Sequence, residues 1–342
     1  LKFGVLQFFS WPGRRVPLAT VYDRAFQRME VMDKTGYDAV WLAEHHFSTY
    51  SVCPSVHIMG THIAARTKNL RIGTAVSLAS FYHPLRLAEE VALLDHVSGG
   101  RVNWGAGRGF DPTEHKIFGV EPKESYARFR EAVEIVLEAW NQENLSYKGK
   151  FWQFDDVEVL PKPLQEPIPV WLAATSLDAI EWTAQRGHTI MMDPHATHPE
   201  IAMKRAAYET ALAAAGYSMT ERDIPMARTL AMGATAAEAE NVGRRGAEFM
   251  FGSYLRKKAN IRGPAAGGQK IMQAEALDQA LAGESDPVAR YVNDIAICGT
   301  PEKVIDDIQE MQETLPLEYL MIAPLSHASF VMFTEKVLPH FL

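Results

Sequence analysis

Eight strand-length apolar runs alternate with stretches of helical spacing along the whole chain, and this rhythm constrains the fold more than any single motif. The strand-like runs are Phe3–Phe9, Ala39–Ala43, Leu70–Ala75, Arg101–Gly105, Val170–Ala174, Thr189–Met192, Met226–Met232 and Tyr319–Ala323. Helical patterns separate them, at Leu18–Thr35, Ser55–Arg66, Pro84–Ser98, Lys123–Asn141, Asp178–Arg186, Pro199–Ala215, Ala236–Leu255 and Pro301–Thr314. Regular βα alternation implies a parallel sheet, and eight units favour a closed barrel over an open doubly wound sheet. No GxGxxG turn follows the first strand, which weighs against the open dinucleotide-binding alternative. The expected fold is therefore α/β, a (β/α)8 TIM barrel. Two stretches depart from the rhythm. Leu145–Val159 reads as a hairpin about Lys148-Gly149-Lys150, and residues 257–295, rich in Gly and Ala, read as an insertion or mobile lid before the last βα unit.

A length of 342 residues is ordinary for one such barrel, and no low-complexity linker or break in composition marks a boundary, so residues 1–342 are expected to form one domain. The net charge of -8 is spread along the chain and argues against nucleic acid or an anionic membrane surface as partner. No apolar run approaches the ~20 residues needed to cross a bilayer. Leu1–Phe9 reads as a strand and lacks the basic start and cleavage site of a signal peptide. Cys53 and Cys298 lie far apart without CxxC pairing, which is neither a disulfide framework nor a zinc site and fits a reducing cytoplasm.

Active sites of α/β barrels lie at the carboxyl ends of the strands. The residues just past each strand are therefore the candidates: Glu44-His45-His46-Phe47, Ala75-Val76-Ser77, Gly105-Ala106-Gly107-Arg108-Gly109 and Ala174-Thr175-Ser176. Strand neighbours point to opposite faces, so His45 shares a face with Trp41 and Ala43 while Glu44 shares that of Leu42. A rim histidine titrates near neutrality and suits proton transfer, or it serves the rim as a hydrogen-bonded structural element. Small residues around Arg108 let a flat or phosphorylated ligand approach, and the guanidinium offers a fork for phosphate. Thr175-Ser176 open a helix whose free N–H groups form an anion site, although Asp178 is an alternative cap for that helix. Strand one ends in Gln7-Phe8-Phe9 rather than an HxH pair, and no HExxH occurs, so no catalytic metal is expected.

The same residues carry a family likeness. The runs Ala39–Phe47 and Leu70–Val76 resemble those of the bacterial luciferase-like flavin-dependent monooxygenases. So do His83–Glu90 with Leu93-Leu94-Asp95, Ser98–Arg101, Gly107-Arg108-Gly109, Glu181–Gly187 and Gly299–Glu302, in order along nearly the whole chain. The resemblance implies a TIM barrel that takes reduced FMN from a separate NAD(P)H:flavin reductase. Flavin and O2 would form a C4a-(hydro)peroxide that oxygenates a small organic substrate. His45 inherits the catalytic role. Glu44, Ala75, Val76, Arg108, Thr175 and Ser176 inherit contacts to the cofactor, with a cis peptide at Ala75–Val76 beneath the flavin ring and Arg108 on the phosphate.

The likeness has departures. The reactive cysteine of luciferase α chains falls on Gly107, the acidic residue at the phosphate helix is Thr175, and a threonine further along that helix is Ala179. Two other functions stay open: an F420-dependent oxidoreductase, and a non-catalytic subunit similar to the luciferase β chain. The Glu-His-His run favours FMN over F420, and retention of His45 and Arg108 speaks against a silent subunit. A homodimer is implied through the helices near 55–66 and 84–98, where Gly60, Ala64, Ala65, Ala88 and Ala92 would permit close packing, or else pack ordinarily on the barrel.

Overall fold

The computed structural model describes residues 1–220, 222–255 and 286–342. Its elements in chain order are β1 (Lys2–Gln7), α1 (Leu18–Met32), β2 (Ala39–Leu42), α2 (Val56–Arg66), β3 (Arg71–Thr74), β4 (Ser77–Leu78), α3 (Pro84–Ser98) and β5 (Val102–Gly107). There follow α4 (Pro112–Phe118), α5 (Ser125–Asn141), β6 (Asn144–Lys148), β7 (Gln153–Glu158), β8 (Val170–Ala173), α6 (Leu177–Gln185), β9 (Thr189–Met191) and α7 (His198–Ala214). The last are β10 (Pro225–Met232), α8 (Ala236–Met250), α9 (Pro287–Asp294), β11 (Ile297–Gly299), α10 (Pro301–Thr314), β12 (Tyr319–Pro324) and α11 (His327–Lys336). The expected lid lies outside the described residues except at its end, which forms α9.

Each of the eight expected strands is present. Two short ones join them: β4, which resumes β3 beyond Ala75–Val76, and β11, whose three residues are too few for a pattern-based reading to separate from the insertion. The strands form a parallel sheet in the order β11-β10-β12-β1-β2-β3-β5-β8-β9, with β4 beside β5. The sheet curls far enough that Met192 N–H, just past β9, donates to Pro225 O at the start of β10 (3.2 Å). The antiparallel pair β6–β7 is the expected hairpin. Glu131 of α5 fastens its tip by accepting the N–H groups of Lys150, Phe151 and Trp152.

Strand alternation sorts the core into two layers. Trp41 and Ala43 pack inside the curl with Leu6, Met191, Ala227, Tyr319 and Met321, whereas Val40 and Leu42 join the larger layer under the helices. Trp41 Nε1 donates to Tyr319 Oη within the inner layer (3.0 Å), so the indole is buried without losing its hydrogen bond.

The β3–β5 ladder runs through Ile72↔Val102 and Gly73↔Asn103. One step on, the Thr74 hydroxyl replaces a peptide group, donating to Gly105 O (2.7 Å) and accepting from Gly105 N–H (2.8 Å). The chains are so close there that a Cβ on residue 105 would stand 1.9 Å from Thr74 O. Because that neighbour is backbone, Gly105→Ala is expected to lower the unfolding free energy by about 2 kcal/mol. Urea denaturation checks this, and an unchanged midpoint would refute it.

The small residues of α2 and α3 serve this chain's own packing. Ala64, Ala88 and Ala92 are buried, and Gly60 faces Leu94 and Ile72. Of the five, only Ala65 is exposed. The apolar side chains these helices turn outward are Ile58, Leu93 and Val97. Within the chain these small residues let α2 and α3 sit against each other and the sheet, the ordinary packing that the sequence also allowed.

Candidate active site

Beyond β2 the alternation persists onto the rim, so His45 lies on the side of Trp41 and Ala43. Its ring is stacked near Phe8 (centroids 6.2 Å apart) and meets Tyr50 edge-on (4.9 Å) and Phe110 (6.4 Å). Its Nδ1 stands 3.9 Å from Oε1 of Glu114 on α4. That carboxyl is only 1% exposed. Burial pushes it up to about 7, against the opposing pull of the His46 N–H; the negative charge of Asp111 adds to the rise. The His46 N–H donates to Glu114 Oε1 at 2.9 Å. A carboxyl near neutrality beside an imidazole is an arrangement that can hold or pass a proton at physiological pH.

Helix α4 and Glu114 were not among the sequence-derived candidates, yet a signal exists. Asp111 caps the helix by accepting Thr113 N–H (2.8 Å), Pro112 takes the first position and Gly119 follows the end. This is the Asp-Pro start and Gly stop of a short helix.

Glu44 is buried and turned to protein donors. Leu78 N–H (3.3 Å) and Tyr82 Oη (3.1 Å) donate to its Oε2, and His46 Nε2 lies 3.0 Å from Oε1. It therefore braces β4 from beneath. The Ala75–Val76 peptide is cis, as the resemblance implied, and both residues are half-buried at the mouth of the curl. Val76 also accounts for one departure: a Cβ at residue 107 would stand 2.3 Å from Val76 Cγ2, so the space for a cysteine there is already filled.

Arg108 packs its guanidinium 4.1 Å above the Tyr126 ring and donates to Ser125 Oγ (2.8 Å) at the start of α5. Burial lowers its pKa, and among the described residues no carboxylate forms an ion pair with it. One turn along, Arg130 of α5 pairs with Asp178 (2.5 Å) in the first turn of α6. Ser176, rather than Asp178, caps α6, its hydroxyl accepting Ala179 N–H (3.3 Å). Thr175 and Ser176 are half-buried. Arg108 and the α6 start are thus linked through α5; no direct bond between Arg108 and Thr175 or Ser176 is found among the described residues.

Past Tyr50, a buried apolar group of Met250, Phe251, Tyr291 and Val292 packs where α8 ends and α9 begins. Tyr291 Oη lies 2.9 Å from His195 Nδ1 and 3.5 Å from Thr229 Oγ1. Next to Thr229 on β10, Arg228 is fully buried, and burial lowers its guanidinium to about 10. These residues escape a rim-by-rim reading because Tyr291 arrives from beyond the insertion. Among the described residues no group of His, Cys, Asp or Glu is arranged to hold a metal.

Comparison with known proteins identifies the family. The family model described as luciferase-like monooxygenase matches residues 1–318. The oxygenase component of a flavin-dependent trigonelline monooxygenase from Acinetobacter baylyi is 31% identical over 177 residues, covering 51% of this chain and 49% of that one. The monooxygenase RslO1 of Streptomyces bottropensis superposes with a TM-score of 0.83 at 27% identity over 100% of both chains. An F420-dependent secondary alcohol dehydrogenase, at TM-score 0.74 and 18% identity over 98% of both chains, shares the fold alone. The chain spans between 49% and 66% of the length of the first three curated relatives it matches. By the match over residues 1–318, the chain belongs to the luciferase-like monooxygenase family.

Proposed function

We propose that this chain is the oxygenase component of a two-component monooxygenase that uses reduced FMN and O2 to oxygenate a small organic substrate. One observation carries the reading. Within the single stretch 108–114, a half-buried cation with no carboxylate partner among the described residues (Arg108) and a near-neutral carboxyl set against a rim histidine (Glu114 with His45) stand beside the same floor. A cation in that state fits the phosphate of a flavin mononucleotide.

In this reading Arg108, with Thr175 and Ser176 at the α6 start, holds the phosphate. Ala75 and Val76 support the ring, and Glu44 braces that support from below. His45 and Glu114 manage a proton above it, and Phe8, Tyr50 and Phe110 keep bulk water from the imidazole. Reduced FMN, when bound, supplies the electrons that activate O2. A separate NAD(P)H:flavin reductase delivers it, and the curled sheet is taken as the closed eight-unit barrel. No helix among the described residues is long and apolar enough to cross a membrane, and Cys53 and Cys298 are free thiols; we place the reaction in the cytoplasm. A second copy is proposed to cover Ile58, Leu93 and Val97 on α2 and α3, giving a homodimer that sedimentation would reveal.

The test is stopped-flow absorbance after mixing the protein, loaded anaerobically with reduced FMN, with oxygenated buffer. The expected record shows a species distinct from oxidised FMN that outlasts the free-solution reaction. Oxidation at the free-solution rate would overturn the reading. A parallel titration with F420 then separates a hydride-transfer enzyme from a silent subunit.

A further inference from the structure

The polar groups beneath the floor include one cluster for which the active-site chemistry above has no use. His57 of α2 is 4% exposed. Its Nδ1 lies 3.1 Å from Glu90 Oε2 on α3, and its Nε2 lies 3.0 Å from Ser77 Oγ on β4. Glu90 is itself held by Arg86 Nε at 2.8 Å. The order Ser–His–Glu is that of an activated nucleophile. Ser77, however, is 0% exposed, so no substrate reaches its hydroxyl and the trio has a different use.

Its position indicates that use. Ser77 is the first residue of β4 after the Ala75–Val76 peptide and pairs with Ala106, while Leu78 pairs with Gly107. Glu44 already holds β4 through Leu78 N–H. The His57 ring meets Tyr82, the second donor to Glu44, edge-on at 5.6 Å. β4 is thus held at Leu78 by Glu44 and at Ser77 by His57.

We propose that His57 is a positioning residue which, oriented by Glu90, fixes Ser77 and so sets the height of the Ala75–Val76 floor against the Gly107-Arg108 run. With the Glu90 carboxylate accepting a hydrogen bond from Nδ1–H, the tautomer is fixed and Nε2 is left as acceptor for the Ser77 O–H. The link from Glu90 on α3 to the floor is therefore directional, and it gives the pocket a support that originates on a partly exposed helix. The proposal rests on the flavin reading only for what the floor carries.

Two near-isosteric variants separate the two arms of the imidazole. In His57→Gln the amide reaches the place of Nε2 and can still hold Ser77. In His57→Asn it reaches only the place of Nδ1 and keeps Glu90 alone. Deuterium uptake of residues 74–80 in the free protein reads the floor directly, and FMN titration reads its consequence. His57→Asn is expected to raise uptake across 74–80 and to weaken FMN binding about tenfold, with His57→Gln near wild type on both. Ser77→Ala, which leaves the imidazole in place, should match His57→Asn and covers the case in which the asparagine variant does not fold. Equal behaviour of the glutamine and asparagine variants, or unchanged uptake in Ser77→Ala, would overturn the proposal. A wild-type protein that binds no FMN would sink the flavin reading instead, while deuterium uptake still decides the role of His57.

Discussion

His45→Ala should bind FMN with nearly wild-type affinity and lose productive oxygenation by a factor of about 10^2 to 10^4, the usual contribution of a positioned acid or base. The separation follows from the geometry. The bonds described for Arg108 and the α6 start, which are proposed to hold the phosphate, run to Ser125 Oγ and from Ala179 N–H to Ser176 Oγ. The imidazole instead faces Phe8, Tyr50 and Phe110 and stands 3.9 Å from Glu114. Removing it deletes a proton-handling group and leaves the cradle standing. Equilibrium titration with FMN and product yield under reduced-flavin supply read the two halves independently. A variant that kept full activity would show that His45 belongs to the rim's structure alone.

Glu114→Gln should flatten the pH dependence of stability. Burial holds the folded-state carboxyl at about 7 against its ordinary 4.5, so the folded protein binds this proton more tightly than the unfolded chain. The stability so gained is fully present below pH 4.5 and is lost as pH rises through about 7. At about 1.4 kcal/mol per tenfold change in proton affinity, the change amounts to roughly 3 kcal/mol. For a chain of this size that is about 5 °C in melting temperature. Between pH 5 and pH 8 the wild-type melting temperature is therefore expected to fall further than that of Glu114→Gln. Above pH 7 the variant should be the more stable, since its amide accepts the His46 N–H without burying a charge. Parallel slopes across the range would mean that Glu114 titrates as an ordinary surface acid.

The legible part of this protein is the part with period and length. Strands such as Ala39–Leu42 and helices such as Pro84–Ser98 and Pro301–Thr314 stand where apolar spacing and capping residues put them. The rim positions followed once strand ends were known, because chain direction alone decides which end carries chemistry. β11 and α4 were less legible for physical reasons. Three residues carry no periodicity, and a seven-residue helix announces itself only through its caps. Side-chain partners were hardest to read. From sequence, Glu44 is a rim acid available to a cofactor; in the structure its oxygens bind Leu78, Tyr82 and His46. Glu114 reaches His45 and Tyr291 reaches His195 from elements distant in the chain, and no local pattern records such meetings.

The Thr74–Gly105 substitution of a side chain for a ladder rung bears on how far this site can drift. Where the strand leaves the sheet, one hydroxyl carries both hydrogen bonds and one missing methyl makes room for them. Diversity is therefore unevenly allowed along the floor. In a library randomised over 74–78 and 105–108 and selected only for solubility, Thr74 and Gly105 should return almost unaltered. The flanking positions proposed to face the ligand would scatter. New specificities in this scaffold would accordingly arise around one fixed two-residue contact.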